Sequence, residues 1–132
     1  MTLKEANAVV GGTLIIPAKL EECDWVRVRG APDGLLMMVQ KERISRIDII
    51  RESTIETGAG AKIGDTEERI KALYPGRVAV EPHAYTDGHY LVVTPPAAAD
   101  SSFRIVFETD GKNVLRYRSG LMPAVEYVEG CS

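Results

Sequence analysis

The residues able to do chemistry crowd into one run, Glu81-Pro-His83-Ala-Tyr85-Thr-Asp87-Gly-His89-Tyr90. Both histidines of the chain are in it. Imidazole nitrogen and carboxylate oxygen suit zinc and other transition ions. Two histidines six positions apart meet only if the segment doubles back at Asp87-Gly88, and a third ligand then has to come from Asp87 or Glu81. Two other readings stand beside that one. Tyr85, His89 and Tyr90 could form a small-ligand or partner surface, or the run is a structured turn whose histidines cap backbone groups. The sequence requires no metal and no cofactor. Trp25, the only tryptophan, shares a strand face with Cys23. Core packing is its plain reading, and an exposed anchor for a partner is the other, because tryptophan is enriched at binding hot spots.

Nucleophilic catalysis finds no support. A serine or cysteine nucleophile needs a positioned base, and Ser45, Ser53, Ser101, Ser102, Ser119 and Ser132 sit in no elbow-like context. Cys131 is one residue from the end, a poor place to be held rigidly. Gly58-Ala-Gly60 is too short to cradle a phosphate and has no lysine placed as in a P-loop. Glu126 and Glu129 alternate with apolar residues and read as solvated strand positions rather than an acid/base pair. An enzyme is therefore not expected.

The elements that must position these residues repeat. Thr2-Leu-Lys-Glu5 and Thr66-Glu-Glu-Arg69, 64 residues apart, both open amphipathic helices. The first matches a capping box, Thr-x-x-Glu, and glycine stops each one, at Gly11-Gly12 and at Gly76. The expected helices span about 2–11 and 66–74. Strand-like sequence follows both. Thr13 to Ile16 and Cys23 to Arg29 come first, the latter with Asp24, Val26 and Val28 on one side. Leu35 to Gln40 reads as a central strand covered on both faces, with Leu36, Met37 and Met38 in the core, and Ile44 to Arg51 follows it. In the second half the candidates are Val78–Val80, His89–Thr94, Phe103–Glu108, Val114–Arg118 and Ala124–Glu129. Asp110-Gly111 is a hairpin signal, and 95–102 reads as a surface loop. Ile44-Ser-Arg46-Ile47 and Val114-Leu-Arg116-Tyr117 open the second strand of the last shared hairpin in each half. The prediction is α+β: two tandem repeats, each a short helix packed on an antiparallel β-meander, over 1–56 and 64–132, with a small-residue linker at 57–63.

Composition narrows the function classes. The chain has 132 residues, 45% apolar and 27% charged, with a net charge of −3. These values fit a globular protein able to fold without a metal and argue against non-specific nucleic-acid binding, which needs a basic footprint. Arg27, Arg29, Arg43 to Arg51, Arg116 and Arg118 are scattered and read as the solvated faces of strands. No apolar run reaches the ~18 residues of a membrane span. Met1-Thr2 runs straight into a helix, so any export signal is expected to have been removed. Cys23 and Cys131 allow one disulfide, closing a loop worth about 4–5 kcal/mol in the chain-entropy model, or remain two thiols in a reducing compartment.

The order of helix and meander, opening on Thr-x-x-Glu and closing on Gly, resembles the superfamily of tandem-repeat β-lactamase inhibitor proteins and the small lipoprotein of the outer-membrane barrel-assembly machine. The second half also resembles uncharacterised exported bacterial proteins, through Gly64-Asp-Thr-Glu67, Tyr74-Pro-Gly76, the run from Glu81 to Leu91 and Val125 to Cys131. The resemblance implies a secreted or periplasmic binding module that works through its sheet surface or loops. The chain departs from the inhibitors in having one cysteine per half and only 6% aromatics, so β-lactamase inhibition is not carried over. No lipid-bearing N-terminal cysteine matches the lipoprotein. The expected function is a non-enzymatic protein-interaction module of the bacterial cell envelope. The alternative is a small-ligand- or metal-binding domain centred on 81–91.

Overall fold

The computed structural model describes residues 1–31, 33–51, 53–96, 102–128 and 130–131. Two helices, α1 (Leu3–Val9) and α2 (Glu67–Leu73), each precede four strands. Those after α1 are β1 (Leu14–Ile15), β2 (Cys23–Val28), β3 (Leu35–Gln40) and β4 (Arg43–Ile49); those after α2 are β5 (Val78–Pro82), β6 (His89–Val93), β7 (Phe103–Thr109) and β8 (Val114–Leu121). The fold is α+β. All strand pairs are antiparallel, in one sheet of order β1-β2-β3-β4-β8-β7-β6-β5. The two halves meet along β4 and β8, where Ile47 pairs with Ser119 and Asp48 with Arg118. Gly120 stands opposite Arg46 in that seam, and a Cβ there would collide with the Ser45 carbonyl.

A seven-residue helix is too short to be stable alone, so its ends and its packing must hold it. Thr2 Oγ1 accepts from the Glu5 amide at 3.1 Å and Glu5 Oε1 accepts from the Thr2 amide at 3.0 Å, a complete capping box. Thr66 Oγ1 accepts from the Arg69 amide at 3.1 Å, but arginine in place of glutamate leaves that box half made. Both helix starts are then tied to a hairpin in the same way. Thr2 bridges Arg43, and Thr66 bridges Asn113. The Leu3 amide donates to the Glu42 carbonyl, and the Glu67 amide to the Lys112 carbonyl. Each of these hairpins carries a bulge at the same place: Ser45 is skipped between the Met38–Arg46 and Val39–Ile44 pairs, and Leu115 between the Glu108–Arg116 and Thr109–Val114 pairs.

Side chains alternate across the sheet, and the register sorts them into two faces. Leu35, Ile49, Tyr117, Phe107 and Leu91 form one cross-strand row on the helix side. They pack with Ile70 and Tyr74 of the α2 segment and with Ala61, and α1 covers a second cluster of Ala6, Leu14, Val26, Met37 and Val39. The neighbouring row, Leu36, Asp48, Arg118, Val106 and Val92, points to the other face. Met37, Met38 and Val39 are buried on both sides of β3, as a covered central strand should be; Leu36 is only half-buried.

The strand expected at Ala124–Glu129 is not formed. Ala124–Glu126 is a short 3-10 turn, and Glu129 lies outside the described residues, as does most of the expected loop at 95–102. The physical reason is that β8 already has a partner on each edge, β4 and β7, so β8 offers no ladder to the chain that leaves it. Residues 122–128 and 130–131 instead cross the face opposite the helices as a strap. Val125 and Val128 pack on Tyr90, Val92 and Val106, and the strap ends in a disulfide between Cys131 and Cys23, with Cα atoms 5.5 Å apart.

Candidate functional site

The sheet divides the run from Glu81 to Tyr90 between its two faces. Residues 83–88 link β5 to β6, closed by the His83 amide on the Gly88 carbonyl at 3.0 Å. Gly88 is needed there, since a Cβ would overlap the Thr109 carbonyl. His83 turns to the strap face. Its ring stacks on Tyr90 with centroids 4.5 Å apart. Its Nδ1 accepts from the Tyr85 amide at 3.1 Å, so Nε2 carries the proton that it donates to Glu108 Oε1 at 2.9 Å. His89 turns to the helix face, where its Nδ1 lies 2.8 Å from Glu67 Oε2. Thr109 Oγ1 donates to the same oxygen at 2.6 Å. Burial is the largest influence on Glu67 and pushes its carboxyl up, but the bonds from Thr109 and His89 outweigh it and hold the group below the usual range.

The sequence-predicted residues therefore do not meet at one point. Glu81, His83, Tyr90 and Trp25 share the strap face; His89 is on the other; Asp87 is exposed in the loop and Tyr85 is 69% exposed at its tip. Among the described residues no group of three His, Cys, Asp or Glu side chains is placed to hold a metal.

What organises the strap face are four charged residues the sequence does not single out. Arg46 and Arg118, expected as solvated, are each 3% exposed. Arg46 makes a two-pronged pair with Asp48, Nε to Oδ1 at 2.7 Å and Nη2 to Oδ2 at 2.8 Å. Its Nη1 donates to the strap carbonyls of Ala124 and Tyr127 at 2.9 and 2.6 Å. Arg118 donates from Nε to the Val125 carbonyl and from Nη1 to Glu108 Oε2. Glu108 is thus bridged between His83 and Arg118. The strap has no strand partner, and these guanidiniums answer three of its carbonyls instead, as buried backbone acceptors require. Burial pushes the Asp48 carboxyl up despite Arg46 beside it, and burial likewise lowers Arg46. The one signal for this arrangement is parity: Asp48 and Arg118 fall on the same strand face as Leu36, Val92 and Val106.

The strap leaves a cleft on each side. One, of about 230 Å³, is lined by Trp25, Leu36, Asp48, Arg116, Val128 and Gly130 among others. The other, about 80 Å³, lies between Glu81, Tyr90, Val106, Arg118 and Glu126. Trp25 is half-buried, with the Arg46 guanidinium 5.5 Å from its ring. A larger groove, about 640 Å³, lies elsewhere, between α1 and the β3–β4 turn, with Lys4, Lys41 and Arg43 at its rim.

Fold and face together define an α+β protein whose single antiparallel sheet carries helices on one side and a disulfide-fastened strap on the other. Compared with family models, with curated proteins and with solved structures, the chain finds no match in any of the three. No helix among the described residues is long and apolar enough to cross a membrane.

Proposed function

We propose that this protein is a non-enzymatic interaction module of the bacterial cell envelope, periplasmic or secreted, and that it binds a protein partner over the strap face. The observation that carries the reading is the make-up of that face. Its buried ionisable groups are already spent on one another, Arg46 with Asp48 and Glu108 with both His83 and Arg118. Around them stand half-buried Trp25 and Leu36 and exposed Tyr127, rimmed by Arg116, Glu81 and Glu126. Aromatic and apolar anchors inside a charged rim are the anatomy of a protein interface. A disulfide that closes the strap supports an oxidising compartment.

The same proposal takes the chain to be two tandem helix–meander units. Support comes from the matching ties of Thr2 and Thr66 to their hairpins and from the matching bulges at Ser45 and Leu115. It keeps the chain beside the tandem-repeat inhibitors and the barrel-assembly lipoprotein, without their partners.

A photo-crosslinking residue placed in turn at Leu36, Tyr127 and, on α2, Lys71 tests the face in cells that export the protein. Adducts of one mass are expected at Leu36 and Tyr127 and not at Lys71. Equal adducts at all three, or none, overturn the assignment.

A further inference from the structure

The two edges of the sheet differ. β1 is two residues long, which leaves little backbone to recruit another strand. β5 presents Val78–Pro82 with no register shift and no lysine, and Ala79, Val80 and Glu81 are exposed, Val80 by 44%. Its ladder with β6 fixes which backbone groups are free. The Thr94 amide donates to the Arg77 carbonyl and the His83 amide to the Gly88 carbonyl, both at 3.0 Å. In an antiparallel ladder such pairs alternate, so odd-numbered residues bond inward. Val78 and Val80 therefore point both N–H and C=O away from the sheet.

We propose that this edge pairs antiparallel with β5 of a second copy of the chain, centred on Ala79, so that two sheets become one. Three features select that partner and register. Val78 falls opposite Val80, the two residues whose backbone groups face outward, and each such pair exchanges both N–H···O=C bonds. Arg77 falls opposite Glu81 at both ends of the contact, an opposite-charge pair once the Arg77 side chain swings from the Tyr74 ring toward Glu81. Centring on Val80 instead would set Val78 against Pro82, which has no N–H, and Arg77 against His83. Glu81 is exposed, and the Arg77 side chain, now lying 5.3 Å over the Tyr74 ring with Nη1 3.4 Å from the Thr94 carbonyl, is held by no carboxylate among the described residues. The contact takes up Glu81 at the rim of the strap face but leaves Trp25, Leu36 and Tyr127 uncovered, so it does not depend on the binding role proposed for that face.

Sedimentation equilibrium on the full chain tests this through charge reversal. The wild type is expected to form a reversible dimer at high-micromolar concentration, and Arg77→Glu and Glu81→Arg should each raise the dissociation constant at least tenfold. An equimolar mixture of the two variants restores both opposite-charge pairs across one contact, and should dimerise at least as tightly as the wild type. Val80→Pro removes an outward N–H and spares the ladder to β6; it should abolish the dimer with the circular dichroism unchanged, which keeps the test open if Arg77→Glu unfolds. A wild type that stays monomeric, single variants that dimerise as well as the wild type, or a mixture that stays monomeric would each overturn the proposal.

Discussion

On the helix face, Phe107, Tyr117, Leu91 and Ile70 meet as plain apolar surface, and two short helices supply the cover. On the strap face, the cover is the strap, held by guanidiniums reaching its carbonyls and by one covalent bond. The difference is one of directionality. Apolar contact is non-directional and tolerates repacking. A buried charge network works only when every partner is present. Losses on the helix face should therefore scale with the apolar volume removed, and losses on the strap face should depend on which partner is left unpaired.

Cutting the covalent bond should have the largest effect. Cys23 and Cys131 are separated by 108 positions, and the chain-entropy model assigns a loop of that size about 4–5 kcal/mol. Replacing both with serine should lower the urea midpoint accordingly. Hydrogen exchange should quicken first around 122–131, with the amides of β6 and β7 protected until global unfolding. A loss under ~1 kcal/mol would mean that the arginines alone hold the strap. On the opposite face, Phe107→Ala should cost about 3–5 kcal/mol, because Phe107 is fully buried between Tyr74 and Tyr117. Its mark is the reverse: exchange quickens under α2 while the strap stays protected.

The helix face was the more legible in the sequence for the same reason. Capping residues and alternating apolar positions are local signals, and they located both helices and the strands of each meander within one to three residues. The strap reads as a strand because Val125, Tyr127 and Val128 are spaced with Glu126 and Glu129 as a strand would be; nothing local says that β8 has no edge left to offer. Arg46 and Arg118 read as solvated because arginine usually is, and their burial depends on carbonyls 78 and 7 positions away. Of the run from Glu81 to Tyr90, the composition was legible but its division was not. The turn that carries the chain from Pro82 to His89 decides which ring faces which side, and that geometry is set by Thr109 of another strand.

Neutralising the two charges in turn separates pairing from packing on the strap face. Arg118→Met should cost about 3 kcal/mol, since it strands the Glu108 carboxylate and the Val125 carbonyl in a buried site. Adding Glu108→Gln should recover more than half of that loss in the double variant, measured by the same denaturation. If the two losses simply add, Glu108 and Arg118 are not a coupled pair, and the strap face packs much as the helix face does.

Acid should distinguish the faces by sign rather than by size. Glu67, on the helix face, is held below its ordinary value of 4.5. Its ionised form is favoured in the folded state, so the stability it supplies is present above pH 4.5 and is lost as the pH falls through the lower folded value. Asp48, on the strap face, is pushed above its ordinary value of 3.8, burial outweighing Arg46. Its contribution runs the other way: it favours the fold at low pH and is lost as the pH rises from 3.8 through the raised folded value. The stability of the wild type relative to Glu67→Gln should therefore grow with pH across the window just below 4.5. Relative to Asp48→Asn it should shrink with pH across the window just above 3.8. Thermal unfolding at closely spaced pH values reads both slopes. Two slopes of the same sign would mean that the carboxylates on the two faces sit in equivalent surroundings, and the contrast between a helix-covered and a strap-covered face would lose its electrostatic half.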